Sequence, residues 1–161
     1  MVTVAQAERV HAGALAELAG EMVRFYGASE VAPLDVRIRA VSESLFGAPP
    51  LAYCLLAWDD GRLVGFAAYS FHWPAVGLTR SLYLKDLFVA GTARGKGVGR
   101  LLIRHLHDVA VRNSCTRVEW TTDQDNPGAQ RLYARLGVPV RTSKLFYRVE
   151  AAEVQRLAGL E

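Results

Sequence analysis

The sequence predicts one α/β (α+β) domain over residues 1–161, with a mixed, mostly antiparallel central sheet flanked by helices on both faces. Two features of the chain lead to this prediction. A meander of strands contains the turn Asp59-Asp60-Gly61, and Asp-Gly between two apolar runs favours an antiparallel hairpin. An amphipathic helix then separates the last strand of the meander from a further strand, and a helical crossover of this kind joins parallel strands.

The elements follow in the order β-α-α-β-β-β-α-β-α-β-α, and each is inferred from its apolar periodicity and from the residues that end it. Gly27 ends the first helix, and Gly47-Ala48-Pro49-Pro50 breaks the second. Gly137 is the expected cap of the helix that precedes the final strand. The predicted strands cover residues 2–5, 53–58, 62–71, 80–89, 117–122 and 145–149, and the predicted helices cover 10–25, 36–46, 98–113, 126–136 and 151–160.

The composition is that of a globular chain, with 51% hydrophobic residues, 22% charged residues and a formal net charge of +3. Lysine and arginine are scattered along the chain, so we expect no nucleic-acid partner. We expect a cytoplasmic protein with no membrane partner, because no apolar run approaches the roughly 20 residues of a membrane span and no signal segment is evident. The cysteines fit a reducing compartment, and no spacing of potential ligands indicates a metal site.

A glycine-rich turn, Arg94-Gly95-Lys96-Gly97-Val98-Gly99-Arg100, follows the strand over 80–89 and opens the central helix. Its alternating glycines allow positive φ and let an anion reach the backbone N–H groups. The helix adds its positive dipole end and its first N–H groups, so the turn is predicted to bind phosphate. It is not a P-loop, which needs Lys-Ser or Lys-Thr after the glycines. It is not a Rossmann fingerprint either, because Arg100 stands where a third glycine is needed.

Arg-x-x-Gly-x-Gly at a strand-to-helix junction resembles the acetyl-CoA pyrophosphate loop of the GNAT superfamily of N-acetyltransferases. The segment Asn126-Pro127-Gly128-Ala129-Gln130-Arg131-Leu132-Tyr133-Ala134-Arg135-Leu136-Gly137 is similar to that family's Asn-x-x-Ala-x-x-x-Tyr-x-x-x-Gly. Within the superfamily, Tyr83-Leu84-Lys85-Asp86-Leu87-Phe88-Val89 resembles the Tyr-Leu-Glu-Asp-Phe-Phe-Val signature of diamine (spermidine/spermine) N-acetyltransferases. The resemblance covers residues 2–149 and implies the GNAT fold with acetyl-CoA as cofactor.

The resemblance also implies which residues form the cofactor site. Backbone atoms of Leu87, Phe88 and Val89 hold the pantetheine arm and the acetyl group, and a backbone N–H near Val89 faces the oxyanion. Tyr133 is the general acid, because a tyrosine held close to sulfur can protonate the departing thiolate; packing on its helix is the alternative role. The residues expected around the rest of CoA are Arg94, Gly95, Lys96, Gly97, Val98, Gly99, Arg100, Asn126, Ala129 and Tyr133.

One residue departs from the diamine enzymes, since Lys85 stands where they have a glutamate that is implicated as base and substrate contact. Strand alternation puts Lys85 with Tyr83 and Leu87 on one face and Asp86 on the other. Asp86 therefore cannot replace that glutamate unless the strand bulges. A lysine repels a dication but suits an acceptor that carries a carboxylate. Alternatively, Lys85 extends to solvent and an ordered water chain takes the proton.

Further side chains are candidates for the acceptor pocket. Tyr26 stands near the end of the first helix, where the polyamine enzymes carry an acidic residue. Trp73 and Trp120 can wall the pocket and attract an ammonium by cation–π contact, although packing is an equal alternative. The carboxylates that could replace the missing glutamate, each of them otherwise a solvated surface charge, are Glu21, Glu30 and Glu119.

The sequence thus predicts an acetyl-CoA-dependent N-acetyltransferase acting on the primary amine of a small molecule, either an amino-acid-like amine or a polyamine. The amine attacks directly in a ternary complex, because no Cys, Ser or Lys is arranged as a covalent nucleophile. Two other functions stay open: a protein lysine or N-terminal acetyltransferase, and a non-catalytic acyl-CoA-binding regulatory domain. The resemblance further implies a homodimer built by the C-terminal strand region.

Overall fold

The computed structural model describes residues 1–159, in which a five-stranded sheet separates two layers of helices. The strands are β1 (Val2–Gln6), β2 (Tyr53–Asp59), β3 (Arg62–His72), β4 (Arg80–Val89) and β5 (Cys115–Glu119). The helices are α1 (Ala12–Phe25), α2 (Leu34–Phe46), α3 (Val98–Arg112), α4 (Pro127–Arg135) and α5 (Ala151–Leu157). Short 3-10 turns lie at Arg9–His11, Val76–Leu78 and Gly91–Ala93.

The strands follow one another across the sheet in chain order, β1-β2-β3-β4-β5. Strands β1 to β4 are antiparallel neighbours, and β5 pairs with β4 in parallel after the α3 crossover. The predicted mixed, mostly antiparallel sheet is therefore confirmed. The parallel pairing covers only residues 80–83 of β4, after which the two strands separate. Within the described chain, residues 84–89 of β4 have no strand neighbour on their β5 side.

Each face of the sheet carries its own core. Helix α3 covers one face, where Leu102 and Leu106 pack with Leu82 of β4. Helix α1 covers the other face through Leu15 and Leu18, and α2 adds partly buried residues there. Glycine at position 65 lets α3 approach β3 closely, because a Cβ there would lie 3.0 Å from the Phe88 carbonyl oxygen and 3.1 Å from Val98 Cγ1. This approach brings the start of α3 against the end of β4.

A bulge in β4 changes the predicted alternation of its side chains. Ala68 of β3 pairs with Asp86 and Tyr69 pairs with Leu84, so Lys85 is an extra residue without a partner in the ladder. A bulge reverses the faces of the residues that follow it. Leu84 therefore packs in the α3 core, whereas Asp86 lies on the same face as Phe88, which packs in the α1 core. The prediction of strict alternation was wrong, and the bulge that Asp86 needs is present.

The predicted final strand over residues 145–149 does not form. Every residue from 139 to 159 is exposed, and none of them pairs in the described sheet. Leu145 and Tyr147 are 80% and 83% exposed. The apolar pattern predicted a strand, but a strand forms only beside a hydrogen-bonding partner, and none lies next to this segment. We refer to residues 139–159 as the C-terminal arm.

Many of the other boundaries differ from the prediction by one or two residues, and larger differences occur at the ends of β5 and α5. Strand β5 ends at Glu119 instead of residue 122, because the chain beyond Glu119 has left its neighbour β4. Helix α5 ends at Leu157, and residue 160 of the predicted helix lies outside the described residues.

No helix within residues 1–159 is long and apolar enough to cross a membrane. In the same range, no group of three or more His, Cys, Asp or Glu residues could hold a metal ion.

Replacing Gly65 with alanine should destabilise the fold by about 1–3 kcal/mol, because the new methyl group would overpack the contact between β3 and α3. Gly13→Ala in α1 is the matched control, since nothing lies within 4 Å of a Cβ built there. That variant should be neutral or slightly more stable. Urea unfolding followed by circular dichroism measures both changes. Equal stability of Gly65→Ala and the parent chain would contradict the proposed close approach.

Candidate active site

A cavity of about 590 Å³ opens where β4 and β5 separate. Its walls come from the end of α1, the end of β4, the glycine-rich turn, the start of α3 and helix α4. No carboxylate lines this first cavity, whereas several cationic side chains do: Arg94, Arg100, Arg131 and Arg135. A cavity with this charge suits a ligand that carries several phosphates.

The structure brings together nearly all the residues predicted to hold the cofactor. Lys96 alone of that set does not line the first cavity, and it is exposed. The members that line it are Leu87, Phe88, Val89, Arg94, Gly95, Gly97, Val98, Gly99, Arg100, Asn126, Ala129 and Tyr133. Motifs more than 25 residues apart in the chain thus meet around one space.

The glycine-rich turn adopts the conformation that its sequence predicts. Gly95 and Gly97 have φ of +77° and +82°, and Gly97 is the residue before the first turn of α3. Positive φ strains any other residue type, so both positions require glycine. Gly99 is needed for a different reason, because a Cβ there would lie 3.2 Å from Leu132 Cδ2 of α4. Bare backbone and the N-terminal end of α3 therefore face the cavity, as a diphosphate requires.

Asn126 places Tyr133 through the geometry of α4. The side-chain Oδ1 of Asn126 accepts a hydrogen bond of 3.1 Å from the Ala129 N–H and caps the helix, and Pro127 occupies its first turn. A capped start fixes the direction of a short helix. Tyr133 follows two turns later and lines the first cavity. In the Asn-x-x-Ala-x-x-x-Tyr motif, the asparagine therefore caps the helix, and the tyrosine two turns later faces the first cavity.

Tyr133 is half-buried against an aromatic support. Its ring centroid lies 5.1 Å from that of Trp120, at an interplanar angle of 52°. Burial raises the pKa of the Tyr133 phenol to about 12, and the nearby Tyr26 phenol adds to the increase. The phenol therefore keeps its proton at neutral pH. Trp120 does not line the first cavity, and its position behind Tyr133 matches the packing alternative instead of an acceptor wall.

Arg94 joins the end of α1 to the cofactor loop. Its guanidinium carbon lies 4.0 Å from the centroid of the Phe25 ring, and its Nε donates a 3.1 Å hydrogen bond to the Val89 carbonyl. One turn earlier on α1, Glu21 accepts a hydrogen bond of 3.3 Å from the Gly91 N–H. The sequence places Phe25 beside Tyr26 at the end of the first helix but does not predict its contact with Arg94, because no local spacing signals a contact between residues so far apart in the chain.

Two titratable side chains lie near one another beside the first cavity: Tyr26 is part of its lining, and Asp86 is not. Asp86 is half-buried; burial raises the pKa of its carboxyl above the ordinary range, and the Lys85 charge opposes that increase. Burial also raises the pKa of Tyr26, and the negative charges of Asp86 and Asp123 add to it. Tyr26 is therefore close enough to both Asp86 and Tyr133 for electrostatic interaction with each.

Asp86 shares its face of the sheet with other polar side chains. We call this group the polar strip; its other members are Ser70, His72, Tyr83 and Glu119. In the ladder, Tyr83 pairs with Ser70 of β3 and with Glu119 of β5. The rings of His72 and Tyr83 are stacked, with centroids 4.9 Å apart and planes 6° from parallel. His72 and Glu119 are exposed. The strip therefore offers Glu119 as a second carboxylate on the same face as Asp86.

The remaining acceptor candidates lie away from the first cavity. Trp73 is 70% exposed in the connection between β3 and β4, where its Nε1–H donates a 3.0 Å hydrogen bond to the Leu78 carbonyl. Lys85 is exposed at the bulge. Tyr26 is the one residue of the predicted acceptor set that lines the cavity.

Comparison with known proteins agrees with this geometry. Residues 16–138 match the sequence model of the Acetyltransferase (GNAT) family. A D-amino-acid N-acetyltransferase of Saccharomyces cerevisiae is 38% identical over 95 residues, and the match spans 58% of each chain. The thialysine N-epsilon-acetyltransferase of Mus musculus is 29% identical over 146 residues, which cover 81% of this chain and 85% of the mouse protein.

Among solved structures, an integron cassette protein from the mobile metagenome of V. cholerae superposes with a TM-score of 0.90. It is 30% identical to this chain, and the match covers 98% of this chain and 97% of that one. A TM-score this high over nearly the whole of both chains shows that they share one fold. The family match, the fold and the glycine-rich cavity agree, so the chain belongs to the GNAT acetyltransferase family and is an acetyl-CoA-dependent N-acetyltransferase.

Proposed function

We propose that this enzyme acetylates the primary amine of a small molecule that also carries a carboxylate, such as an amino acid with a side-chain amine. The observation that carries the proposal is the bulge at Lys85. It sets a cation beside the half-buried Asp86 carboxylate, and the charge of Asp86 acts on Tyr26, which lines the first cavity. A carboxylate can bind the ammonium of the acceptor, and a neighbouring cation can bind its acid group. We also propose that the enzyme is related to the diamine N-acetyltransferases but acts on a different acceptor.

Two further observations support an amino-acid-like acceptor. A dication such as a diamine would be repelled by Lys85, whereas a zwitterionic acceptor would not. The yeast and mouse relatives are named for D-amino acids and for thialysine, and both kinds of compound carry a carboxylate.

The two free cysteines, of which Cys54 is buried, fit the proposal that the enzyme works in the reducing cytoplasm.

The first cavity would hold the cofactor along its length. Backbone N–H groups of the glycine-rich turn would bind the diphosphate, and the free edge of β4 at Leu87 and Phe88 would align the pantetheine arm. Acetyl-CoA supplies an acetyl group that is activated as a thioester. The backbone N–H of Val89 would donate to the acetyl oxygen as negative charge develops there.

Asp86 and Tyr133 would carry out the proton transfers of the reaction, in which the attacking nitrogen loses two protons and the departing sulfur gains one. The acceptor arrives as an ammonium with a pKa near 10.4 for a lysine-like amine, and it must lose a proton before it can attack. Asp86 would accept that proton, directly or through one water. The Tyr133 O–H would donate to the departing sulfur, and its raised pKa keeps the phenol protonated at neutral pH before the reaction. The nitrogen loses its second proton as the amide forms, and that proton would return to the Tyr133 phenolate, which completes the transfer to sulfur. Trp120 would act as a positioning residue for the Tyr133 ring.

The alternatives weighed from the sequence are weaker in this geometry. A non-catalytic regulatory domain was favoured by the missing glutamate, but the bulge gives Asp86 a comparable position. A protein acceptor is favoured by the exposed part of the polar strip at His72 and Glu119, which offers an open surface. We retain protein acetylation as the second candidate function, and the acceptor assay separates the two.

The acceptor preference is tested by CoA thiol release with lysine, ornithine and thialysine against putrescine and spermidine. We expect higher kcat/KM for the carboxylate-bearing amines. Lys85→Gln should reduce that preference about five- to tenfold, the loss expected for one partly exposed charged contact. Arg62→Gln, which removes an exposed cation from the β2–β3 hairpin, should leave the preference unchanged. Faster turnover of diamines by both proteins would contradict the proposal, and turnover of peptides alone would favour a protein acceptor.

The acid–base assignment predicts that Tyr133→Phe and Asp86→Asn each lower kcat by about 10²- to 10⁴-fold. Glu119→Gln removes the other carboxylate of the strip and should have little effect. Activity of the parent enzyme should fall as pH decreases through the raised pKa of Asp86, because the base is then protonated. Deprotonation of Tyr133 should not reduce activity at any pH below its pKa of about 12. Steady-state rates over pH, with CoA affinity from calorimetry, measure these effects. Full turnover by Tyr133→Phe with normal CoA binding would exclude the acid role.

We also propose that the enzyme is a homodimer in which the C-terminal arm of each copy packs on the other. The arm exposes large apolar side chains, which include Leu145, Phe146 and Tyr147. Apolar groups on this scale are rarely left in water, and exchange of identical segments gives a closed two-fold interface. The free edge of β5 is available to pair with the strand-like sequence of the arm.

The dimer proposal predicts that Phe146→Asp shifts the protein from dimer to monomer in analytical ultracentrifugation. A buried charge at the interface would lack a partner and weaken association strongly. Val10→Asp, at a position that is 80% exposed in the turn before α1, should leave the dimer intact. A parent protein that sediments as a monomer at micromolar to millimolar concentration would refute the proposal.

A further inference from the structure

A second cavity of about 550 Å³ continues from the first. The linings of the two cavities share Gly97, Arg100 and Leu136, so the glycine-rich turn forms their common border. The rest of the second cavity is formed by one side of α3 and by Val138, beyond the end of α4. None of the roles assigned above uses this space.

Three basic side chains line the second cavity from α3: Arg100, Arg104 and His107. Their spacings of four and three residues put them on one face of the helix. Like charges four residues apart destabilise a helix, so the Arg100–Arg104 pair is unfavourable unless an anion lies near it. None of the ion pairs found within residues 1–159 includes either arginine, and the lining of the second cavity contains no carboxylate.

His107 has a defined orientation in this group. Its Nδ1 lies 2.8 Å from the Ile103 carbonyl oxygen, and a carbonyl can only accept, so Nδ1 carries the hydrogen. Nε2 is then the ring nitrogen left for another partner. The apolar part of the wall comes from Leu101, Ile103, Leu136 and Val138. Cationic groups beside an apolar wall suit a phosphate that is attached to an organic ring system.

We infer that the second cavity binds the 3′-phosphate of CoA, with Arg104 as its main partner and Arg100 between this phosphate and the diphosphate. The inference rests on the proposed position of the diphosphate on the glycine-rich turn. In CoA one ribose separates the diphosphate from the 3′-phosphate. Arg100 and Arg104 are separated by about one helical turn, which is 5.4 Å, so the two arginines can serve neighbouring phosphates of one nucleotide. Arginine binds such a monoester with paired N–H donors.

The test is a calorimetric comparison of CoA with 3′-dephospho-CoA, which differs only by the phosphate in question. The parent enzyme should bind CoA at least about tenfold more tightly, as one charge-assisted contact implies. Arg104→Gln should bring the ratio of the two dissociation constants close to one while leaving the affinity for 3′-dephospho-CoA unchanged. Arg112→Gln, an exposed cation in the last turn of α3 outside both cavities, should keep the parent ratio.

Several outcomes would overturn the inference. A parent enzyme that binds both ligands equally has no 3′-phosphate site. An equal loss of affinity for both ligands in Arg104→Gln would mean that Arg104 serves the diphosphate. Inorganic phosphate can also be added to the complex with 3′-dephospho-CoA. If it binds there with the free energy that separates CoA from 3′-dephospho-CoA, the site takes a free anion instead. Because the readout is binding, lack of acetylation with every acceptor leaves the test intact, whereas absence of CoA binding would refute both proposals.

Discussion

The separation of β4 from β5 is the feature on which the rest of the molecule depends. A parallel pair normally continues along both strands, but here pairing stops at Tyr83 and Glu119. The backbone groups of the following residues then need other partners, because buried peptide groups are costly without hydrogen bonds. A ligand with amide groups can supply them, and the pantetheine arm of CoA has such groups. The opening in the sheet therefore creates the cavity and also selects what fills it.

The walls of that cavity are held by contacts between distant parts of the chain. Arg94 stacks on Phe25 and donates to the Val89 carbonyl, while Glu21 accepts from the Gly91 N–H. These contacts hold α1 against the connection from β4 to α3. Stacked contacts of an arginine on an aromatic ring contribute about 0.5–2 kcal/mol, so the arrangement is stable without being rigid. The aromatic end of α1, at Phe25 and Tyr26, thus forms part of the lining of the first cavity.

The family resemblance, together with local patterns, predicted most of the residues that gather around the first cavity. Positive φ at Gly95 and Gly97 follows from the alternating glycines, the positions of Asn126 and Tyr133 came from the resemblance, and the cap at Asn126 was not predicted. The stacking of Arg94 on Phe25 and the lining of the second cavity were missed, since both depend on tertiary packing. The same limit explains the wrong alternation in β4, because a bulge is set by the register with β3 and leaves no mark in a list of apolar residues.

The C-terminal arm shows the opposite error, in which a correct local pattern gave a wrong element. Its run of apolar and aromatic residues over 145–149 has the composition of a strand, yet no strand within residues 1–159 pairs with it. A strand is a property of a pair, so a pattern in one segment specifies only half of it. The exposed side chains of the arm and the free edge of β5 are complementary halves of this kind. For that reason we regard the arm as an element whose structure is completed by a second copy of the chain.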